Sequence, residues 1–424
     1  MLDHPRSDHG DLAEPTSLEH RYQRCRDETL ALVATLSDED CQLQSMPDAS
    51  PAKWHLAHSS WFFETFILQA QLPDYQPFHP SYAELFNSYY NAIGKQFSRP
   101  HRGLLSRPSL ADITRYRAHV DRHIRALICR PQHDPGPLLI LGIQHEKQHQ
   151  ELLLMDIKHA FHQNPLYPAY QPIPTNTGAS QHAALSWSCF DGGLVCIGDT
   201  GSEFSFDNER PQHKVWLNPF ELANRPVSNG EFAEFIADGG YQRPEHWLSD
   251  GWAQLQDTGR GAPHYWHLRD GQWWEFSLAG LHPLQAASSA CHLNFYEATA
   301  YAHWAGARLP TEQEWEHASR ALPVAGHFAN RARYHPEAAQ HTPLAQMFGD
   351  VWEWTNSSYL PYPGFTPFAG DAGEYNGKFM SGQFVLRGGS CLSPDDHLRH
   401  SYRNFFYPHQ YWQCAGLRLA RDLT

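Results

Sequence analysis

The chain has 424 residues, too many for one ordinary domain, so we expect two or three compact units. Its 32 basic and 46 acidic residues give a net charge of -14, and a protein that neutralises phosphates usually shows the opposite balance, so nucleic acid is not an expected partner. Apolar runs fall short of the roughly 20 residues that span a bilayer. The N-terminal residues lack signal-peptide features and the eight cysteines form no C-x-x-C pair, so we expect a cytoplasmic protein without structural disulfides.

The first 163 residues carry the patterns of four amphipathic helices. A typical helix-start signal precedes each pattern. The four signals are Thr16 with Glu19, Ser50 with Pro51, Ser109 with Asp112, and a Pro-Gly-Pro stretch at 135–137. The first helix is expected to run to about Leu36, and the fourth holds LLILGIQHEKQHQELLLMDIKHAF. Four such helices predict a bundle, in which metal sites are built from facing helices.

A change in amino-acid composition and in apolar periodicity marks the predicted domain boundary. Residues 164–184 hold four prolines and show little apolar periodicity, which is typical of a linker. We therefore predict a helical bundle over residues 1–163 and a second domain over residues 185–424.

The second domain alternates short apolar runs with Gly, Asn, Asp and Pro. Two helical patterns interrupt these runs, near 228–238 and 294–319, so an α+β domain is expected. The stretch at 360–384 is a long, turn-rich loop, and its aromatic residues favour a functional role.

His145 and His149 stand four residues apart in the segment HEKQH of the fourth helix. Residues at this spacing share a helix face, so both imidazoles can bind one ion. The segment also matches the H-E-x-x-H pattern of zinc proteases, in which the glutamate, here Glu146, is the general base. A polar helix face with two incidental histidines is the third interpretation.

A third histidine favours the metal site. Trp54, His58 and Phe62 share one face of the second helix, so His58 is expected to point into the bundle. One histidine on an apolar face is more often a core residue than a ligand, but three on facing helices favour a metal. His55 lies one turn earlier and is the less expected ligand. Three neutral imidazoles suit Zn, Fe or Cu and leave positions open for substrates and dioxygen.

Further motifs accompany these histidines. They are SPAKWHLAHSSWFFE, LFNSYYNAIG, RGLLSRPS and HEKQHQE in the N-terminal half, and FDNERPQHKV, GARLPTEQEWEHAS, MFGDVWEWT and FVLRGGS in the C-terminal half. With these motifs the chain resembles the iron-dependent sulfoxide synthases of ergothioneine biosynthesis over nearly its whole length. The resemblance implies a DinB-like four-helix bundle followed by a C-type-lectin-like domain of the formylglycine-generating-enzyme type.

The resemblance also implies the chemistry. His58, His145 and His149 would bind Fe(II), and Gln148 would hydrogen-bond the imidazole of the substrate. The implied reaction uses O2 to join hercynine, the trimethylated betaine of histidine, to a small thiol. It forms a C–S bond at the ring carbon between the two nitrogens and oxidises the sulfur to a sulfoxide.

Other positions bear on the substrates. Tyr89 and Tyr90 match the paired tyrosines of the branch that uses free cysteine, where a phenol can donate a proton. A buried aromatic patch is the alternative for this pair. Trp412 could form an aromatic wall for the trimethylammonium group. Cys414 stands where an aromatic residue is expected, and we expect it to face the iron pocket.

Three other functions stay open. A small residue at position 414 could admit a selenosugar, as in the related selenoneine synthases, although the tyrosine pair favours cysteine as the donor. A zinc hydrolase would use Glu146 as its base, and a lectin-like domain could serve binding alone. Formylglycine-generating activity is not expected, because Ser393 and Leu398 replace the two copper-binding cysteines of those enzymes. The donor, the oligomeric state and any structural cation of the C-terminal domain stay open.

Overall fold

The computed structural model describes residues 17–130, 135–172 and 183–423. Its N-terminal part is helical and its C-terminal part combines short helices with small sheets. The helices longer than one turn are α1 (Leu18–Val33), α2 (Ala52–Phe63), α3 (Leu110–Ile128), α4 (Gly136–His162), α5 (Asn229–Ala237), α6 (Ser249–Thr258), α7 (Phe295–Trp304) and α8 (Glu312–Ser319).

The four predicted helices of the bundle are confirmed. Helix α2 packs on α3 and α4, and α1 packs on α4. Ser109 and Asp112 form the expected capping box at the start of α3. Ser17 caps α1, whereas the predicted cap residue Thr16 lies outside the described residues. Helix α2 continues through a π-helical turn at Glu64–Leu68, and such turns often occur at functional sites.

The connection between α2 and α3 is largely irregular. The chain from α2 to α3 contains one short helical turn at Tyr82–Leu85 and a 3-10 helix at Arg99–Leu104. Between these turns lies the segment that carries Tyr89 and Tyr90. This irregular connection therefore brings two predicted site residues to the end of α2.

Short strands build the sheets of the C-terminal part. The strands are β1 (Trp187–Phe190), β2 (Gly193–Ile197), β3 (His213–Leu217), β4 (Phe220–Ala223), β5 (Trp266–Arg269), β6 (Gln272–Ser277), β7 (Gly280–Pro283), β8 (Trp352–Ser358), β9 (Phe384–Arg387), β10 (Asn404–Phe406), β11 (Ala415–Gly416) and β12 (Ala420–Asp422). The strand orders are β1-β4-β12, β10-β9-β8-β11, β2-β3 and β5-β6-β7. All pairs are antiparallel except β11 with β8.

The helical patterns of the second domain are confirmed with one correction. The pattern near 228–238 is α5, but the pattern at 294–319 forms two helices, α7 and α8, instead of one. Gly306 (φ 64°) follows the end of α7, and Pro310 precedes Thr311, the N-cap of α8. Helix α6 was not predicted. No helix in the described ranges is long and apolar enough to cross a membrane.

Candidate metal centre

Three buried histidines meet in the bundle. His58 lies on α2, and His145 and His149 lie one turn apart on α4. One ring nitrogen of each lies within 4.8 Å of those of the other two. The ring centroids are 4.6–4.9 Å apart, which places the three imidazoles around one common point. The three residues that the sequence singled out are therefore brought together.

Hydrogen bonds fix which nitrogen of His58 faces that point. Its Nδ1 lies 2.6 Å from the carbonyl oxygen of Phe86, and a carbonyl can only accept, so Nδ1 carries the proton. The Nε2 of His58 and both ring nitrogens of His145 are buried without a hydrogen-bond partner among the described residues. Unpaired buried imidazole nitrogens are rare unless they bind something.

His149 is held by a chain of hydrogen bonds. Its Nδ1 lies 2.8 Å from Nδ1 of His55, and Nε2 of His55 lies 3.0 Å from Asp156 Oδ2. Because the carboxylate accepts, His55 donates to Asp156 through Nε2 and accepts from His149 at Nδ1. This arrangement leaves Nε2 of His149 unprotonated, as a metal ligand requires. This supporting role of His55 was not predicted from the sequence.

Burial keeps the three imidazoles neutral. It lowers the pKa of His145 to about 3 and holds the pKa values of His58 and His149 well below the usual range. Neutral imidazole is the form that binds metals. The rings of Trp54 and Trp61 stack on His58, and that of Phe62 stacks on His145, so apolar walls surround the site.

Glu146 faces away from the three histidines. Its two carboxylate oxygens accept hydrogen bonds from Arg26 (2.7 Å) and Arg117 (2.9 Å). Burial opposes ionisation, but the two guanidinium groups outweigh it and lower the pKa of Glu146 to about 2. A carboxylate held in this way cannot serve as the general base of a zinc hydrolase, so this arrangement weighs against that alternative.

Gln148 connects the metal centre to the C-terminal domain. Its Oε1 accepts a hydrogen bond from Tyr375 (2.5 Å), and its Nε2 donates to the hydroxyl of Tyr402 (2.8 Å). The ring of Tyr375 lies 5.8 Å from that of His145. Sequence reasoning missed both tyrosines, although Tyr375 belongs to the aromatic loop at 360–384 for which a functional role was predicted.

Other contacts along α4 join the two parts of the molecule. His397 lies 2.6 Å from Oε1 of Gln144 and 2.9 Å from the hydroxyl of Tyr402. The buried carboxylate of Glu151 accepts hydrogen bonds from Trp352, Ser390 and Ser393. The three histidines therefore lie beside the interface between the bundle and the C-terminal domain.

Tyr89 and Tyr90 stack on each other. Their ring centroids are 4.6 Å apart and their hydroxyl oxygens are 3.5 Å apart. Tyr90 is fully buried and its ring contacts Trp61, which stacks on His58. Burial, followed by the nearby Tyr89 and Tyr375, raises the pKa of Tyr90 well above its usual range. The phenol is therefore protonated at neutral pH and can act as a proton donor.

Trp412 and Cys414 lie in a different buried cluster, which also contains Leu154 of α4. Cys414 Sγ is 3.2 Å from Cys291 Sγ and 3.7 Å from Cys391 Sγ. Its described contacts are with these thiols and the backbone, not with the three histidines. The expectation that Cys414 faces the iron pocket therefore stays a prediction without a contact to support it.

Comparisons with known proteins agree with this architecture. The model of the DinB superfamily matches residues 21–153, and that of the sulfatase-modifying factor enzyme 1-like domain matches residues 180–343 and 337–423. The predicted DinB-like bundle and formylglycine-generating-enzyme-like domain are thus confirmed.

Two curated relatives match nearly the whole chain, and a third matches about half of it. The hercynine oxygenase of Mycolicibacterium smegmatis is 35% identical, with 94% of this chain and 97% of that protein covered. The hercynine oxygenase of Mycobacterium tuberculosis is 33% identical, with 97% and 100% covered. Ergothioneine biosynthesis protein 1 of Schizosaccharomyces pombe is 28% identical over 52% of this chain and 28% of that protein.

Proposed function

Since the chain belongs to the hercynine oxygenase family, we propose that it is an O2-dependent Fe(II) enzyme that joins hercynine to a thiol. The preferred thiol is free cysteine, and the product is a hercynyl-cysteine sulfoxide. The similarity to these relatives supports the general class, an oxidoreductase of ergothioneine biosynthesis. The proposal adds three specific points: the metal is Fe(II), the bond formed is a C–S bond, and the thiol donor is cysteine.

The observation that carries the proposal is the set of inward-facing nitrogens of His58, His145 and His149. They are buried, neutral and close enough to share one ion, and His58 and His145 have no other partner for them among the described residues. Three imidazoles without a carboxylate fit Fe(II) and leave coordination positions free. When bound, the iron would supply the redox chemistry for O2.

Gln148 is suited to orient the imidazole ring of hercynine. Its amide already accepts from Tyr375 and donates to Tyr402, so its orientation is fixed from both sides. An amide has a second lone pair and a second N–H, and these remain for a substrate ring. One residue can thus hold the reacting carbon at a defined place beside the metal.

Tyr89 and Tyr90 are suited to act as proton donors in this reaction. The overall reaction removes one hydrogen from the ring carbon and one from the thiol, and it places one oxygen atom on sulfur. The second oxygen atom leaves as water, which takes up both hydrogens. A protonated phenol near the metal can donate during this step and be reprotonated afterwards.

The identity of the sulfur or selenium donor is tested by supplying the same enzyme preparation with different donors. The full chain, loaded with Fe(II) under argon, is mixed with hercynine, O2 and either cysteine or a selenosugar, and the product masses are measured. We expect the mass of hercynine plus cysteine, less two hydrogens, plus one oxygen. Coupling of the selenosugar instead would identify a selenoneine synthase, and intact hercynine with every donor would overturn the proposal.

A substitution at Cys414 tests the alternative from the protein side. If Cys414 makes room for a sugar, Cys414→Phe suppresses coupling of the selenosugar and leaves coupling of cysteine unchanged. Because Cys414 contacts two other thiols and none of the three histidines, we expect no such selective effect. Cys414→Ala is the matched control for disturbance of the thiol cluster.

A further inference from the structure

A second group of metal-ligating side chains lies in the C-terminal domain. Glu275 is on β6, His282 is on β7, and His335 lies in the segment between α8 and β8. One ligand atom of each lies within 4.8 Å of those of the other two. The side chains are only 8%, 9% and 16% exposed. None of them contacts the histidines of the bundle centre.

The fold holds these three residues together. Glu275 and His282 are directly opposite each other in the antiparallel pair β6–β7, so their side chains share one face of the sheet. His335 approaches that face from a segment with unusual backbone angles: Ala332 (φ 50°) and Tyr334 (φ 38°) are left-handed without being glycine. Such conformations persist where the surroundings over-determine them, often at functional sites.

The distances resemble those between ligands of one ion. His335 Nε2 is 3.3 Å and His282 Nδ1 is 4.0 Å from Oε1 of Glu275. Ligand atoms about 2.0–2.2 Å from a tetrahedral zinc ion are about 3.3–3.6 Å apart. The two histidine rings are nearly perpendicular, at 86°, with centroids 5.4 Å apart. A contraction of a few tenths of an ångström would bring both histidine nitrogens to such distances from Oε1 of Glu275, and the two histidines already place one nitrogen each within 4.8 Å of the other.

The hydrogen bonding of the group is incomplete without an ion. Nδ1 of His335 is buried without a hydrogen-bond partner among the described residues, and Nε2 has only its 3.3 Å approach to Glu275, which lacks hydrogen-bond geometry. Buried imidazole nitrogens that bind nothing carry a desolvation penalty. The ion pairs described for Glu275 are with His282 and His335, and neither arginine nor lysine is among them. A divalent cation would supply the missing positive charge.

His282 has the support that metal-binding histidines usually have. Its Nε2 lies 2.9 Å from Oγ of Ser277, which can accept a hydrogen bond from a protonated Nε2 and so leave Nδ1 unprotonated for a metal. In the absence of an ion, Nδ1 can donate to the carbonyl oxygen of Pro283, 3.1 Å away. Metal binding therefore moves the ring proton from Nδ1 to Nε2. Glu275 is held in place by the backbone N–H of Gln285.

We propose that Glu275, His282 and His335 bind one Zn²⁺ ion, with water at the fourth position. Two imidazoles and one carboxylate are typical zinc ligands. The ion would tie the segment around His335 to the β6–β7 hairpin. Tyr334, the neighbour of His335, packs on Tyr170, and Tyr170 also hydrogen-bonds the backbone of Leu278 beside the hairpin. The zinc would thus stabilise the contact between the β6–β7 hairpin, the segment around His335 and Tyr170, which follows the last bundle helix.

Metal analysis of the full chain tests the proposal. The protein is stripped with a chelator, loaded with one equivalent of Fe(II) under argon, and then titrated with Zn²⁺. We expect one zinc per chain in the wild type. Glu275→Gln and His335→Asn should weaken zinc binding by at least about tenfold and leave the iron content unchanged. His341→Asn, at an exposed histidine in the same segment, is the matched control.

X-ray absorption at the zinc edge of the wild-type protein gives a test that needs no variant. Scattering from two imidazoles is expected here, whereas zinc in the bundle centre would show three. The proposal is overturned if both variants bind zinc like the wild type, or if the wild type binds none beyond the bundle centre. Neither result depends on turnover, so the proposed oxygenase function is judged separately.

Discussion

At the scale of single residues, the bundle centre depends on the ring nitrogens that face away from the point shared by the three imidazoles. Phe86 fixes the proton of His58, and the His55–Asp156 pair fixes that of His149. His145 has no such partner among the residues that the structure describes, and packing against Phe62 orients its ring instead. The three candidate ligands are therefore held by different means, which predicts different effects of substitution.

Replacing any one of His58, His145 and His149 by alanine should abolish turnover and lower the iron content. His55→Ala removes only the hydrogen-bond partner of His149, and we expect about a 10–100-fold loss of iron affinity. Anaerobic iron titration measures both effects, with the exposed His101→Ala as control. Stoichiometric iron in His149→Ala would contradict the assignment.

Glu146→Gln should affect stability rather than chemistry. The substitution leaves the buried guanidinium groups of Arg26 and Arg117 without their shared carboxylate, and breaking such a buried ion pair costs about 3–5 kcal/mol. Urea denaturation measures the loss. The rate per folded, iron-loaded molecule should change little, and a fully inactive but folded variant would revive the hydrolase interpretation.

The metal-free protein should become less stable in mild acid. His145 has a pKa of about 3 in the folded state, against about 6.5 in an unfolded chain, so the unfolded chain binds more protons between these values. Its contribution to stability is complete above pH 6.5 and declines by up to about 1.4 kcal/mol per pH unit as the pH falls towards 3. Urea denaturation at pH 7.5 and 5.5 measures the slope, which should be shallower in His145→Gln.

The residue scale also shows what a sequence can predict. The i, i+4 spacing of His145 and His149 and the apolar face of His58 were sufficient to predict that the three histidines meet in the bundle, because helix geometry decides which side chains share a face. The role of His55 was missed, since it depends on how α2 and α4 cross. The surroundings of Cys414 likewise depend on loops that bring Cys291 and Cys391 to it.

At the scale of elements, irregular segments complete the site that the helices begin. The chain between α2 and α3 carries Tyr89 and Tyr90, and the loop at 360–384 carries Tyr375. The helices were predictable because periodicity and capping are local signals. The meeting of these two segments beside α4 was not, because it depends on contacts between residues nearly 300 positions apart, such as the salt-bridged Lys378 that binds the carbonyl oxygen of Tyr89.

The tyrosine pair gives the prediction at this scale. Tyr89→Phe or Tyr90→Phe should keep iron and hercynine binding but slow sulfoxide formation or divert the enzyme towards oxidation of the thiol alone, because a proton donor is lost. Product ratios by mass spectrometry measure the effect, with the exposed Tyr407→Phe as control. Unchanged rates and ratios in both single variants and the double variant would assign the pair to packing.

At the scale of the whole molecule, neither half contains a complete site. The bundle holds the three histidines and Gln148, whereas the C-terminal domain provides Tyr375 and Tyr402. The two-domain organisation was predictable from the change of composition near residue 164. No sequence pattern indicates that the three histidines lie beside the domain interface. Only the general tendency of pockets to lie between domains pointed to this location.

Separate expression of the two halves tests this arrangement. A chain of residues 1–163 should bind iron but form no sulfoxide, because it lacks the tyrosines that hold Gln148. Iron content and product mass measure the two properties. Full synthase activity of the bundle alone would contradict the role given to the C-terminal domain, and mixing both halves is the matched control.

The long helix α4 limits how such a protein can be recombined. Gln144, Gln148 and Glu151 recur on the side that meets the C-terminal domain, while His145 and His149 lie on the adjacent side. Each inserted residue turns the following part of a helix by about 100°. One insertion between His149 and Glu151 would thus turn Glu151 and the rest of the helix away from their contacts while Gln144 and Gln148 keep theirs, whereas a length change within 164–184 would leave all three in register with the histidines. Inherited changes of length, and crossovers between related genes, are expected in the latter stretch and not within this helix.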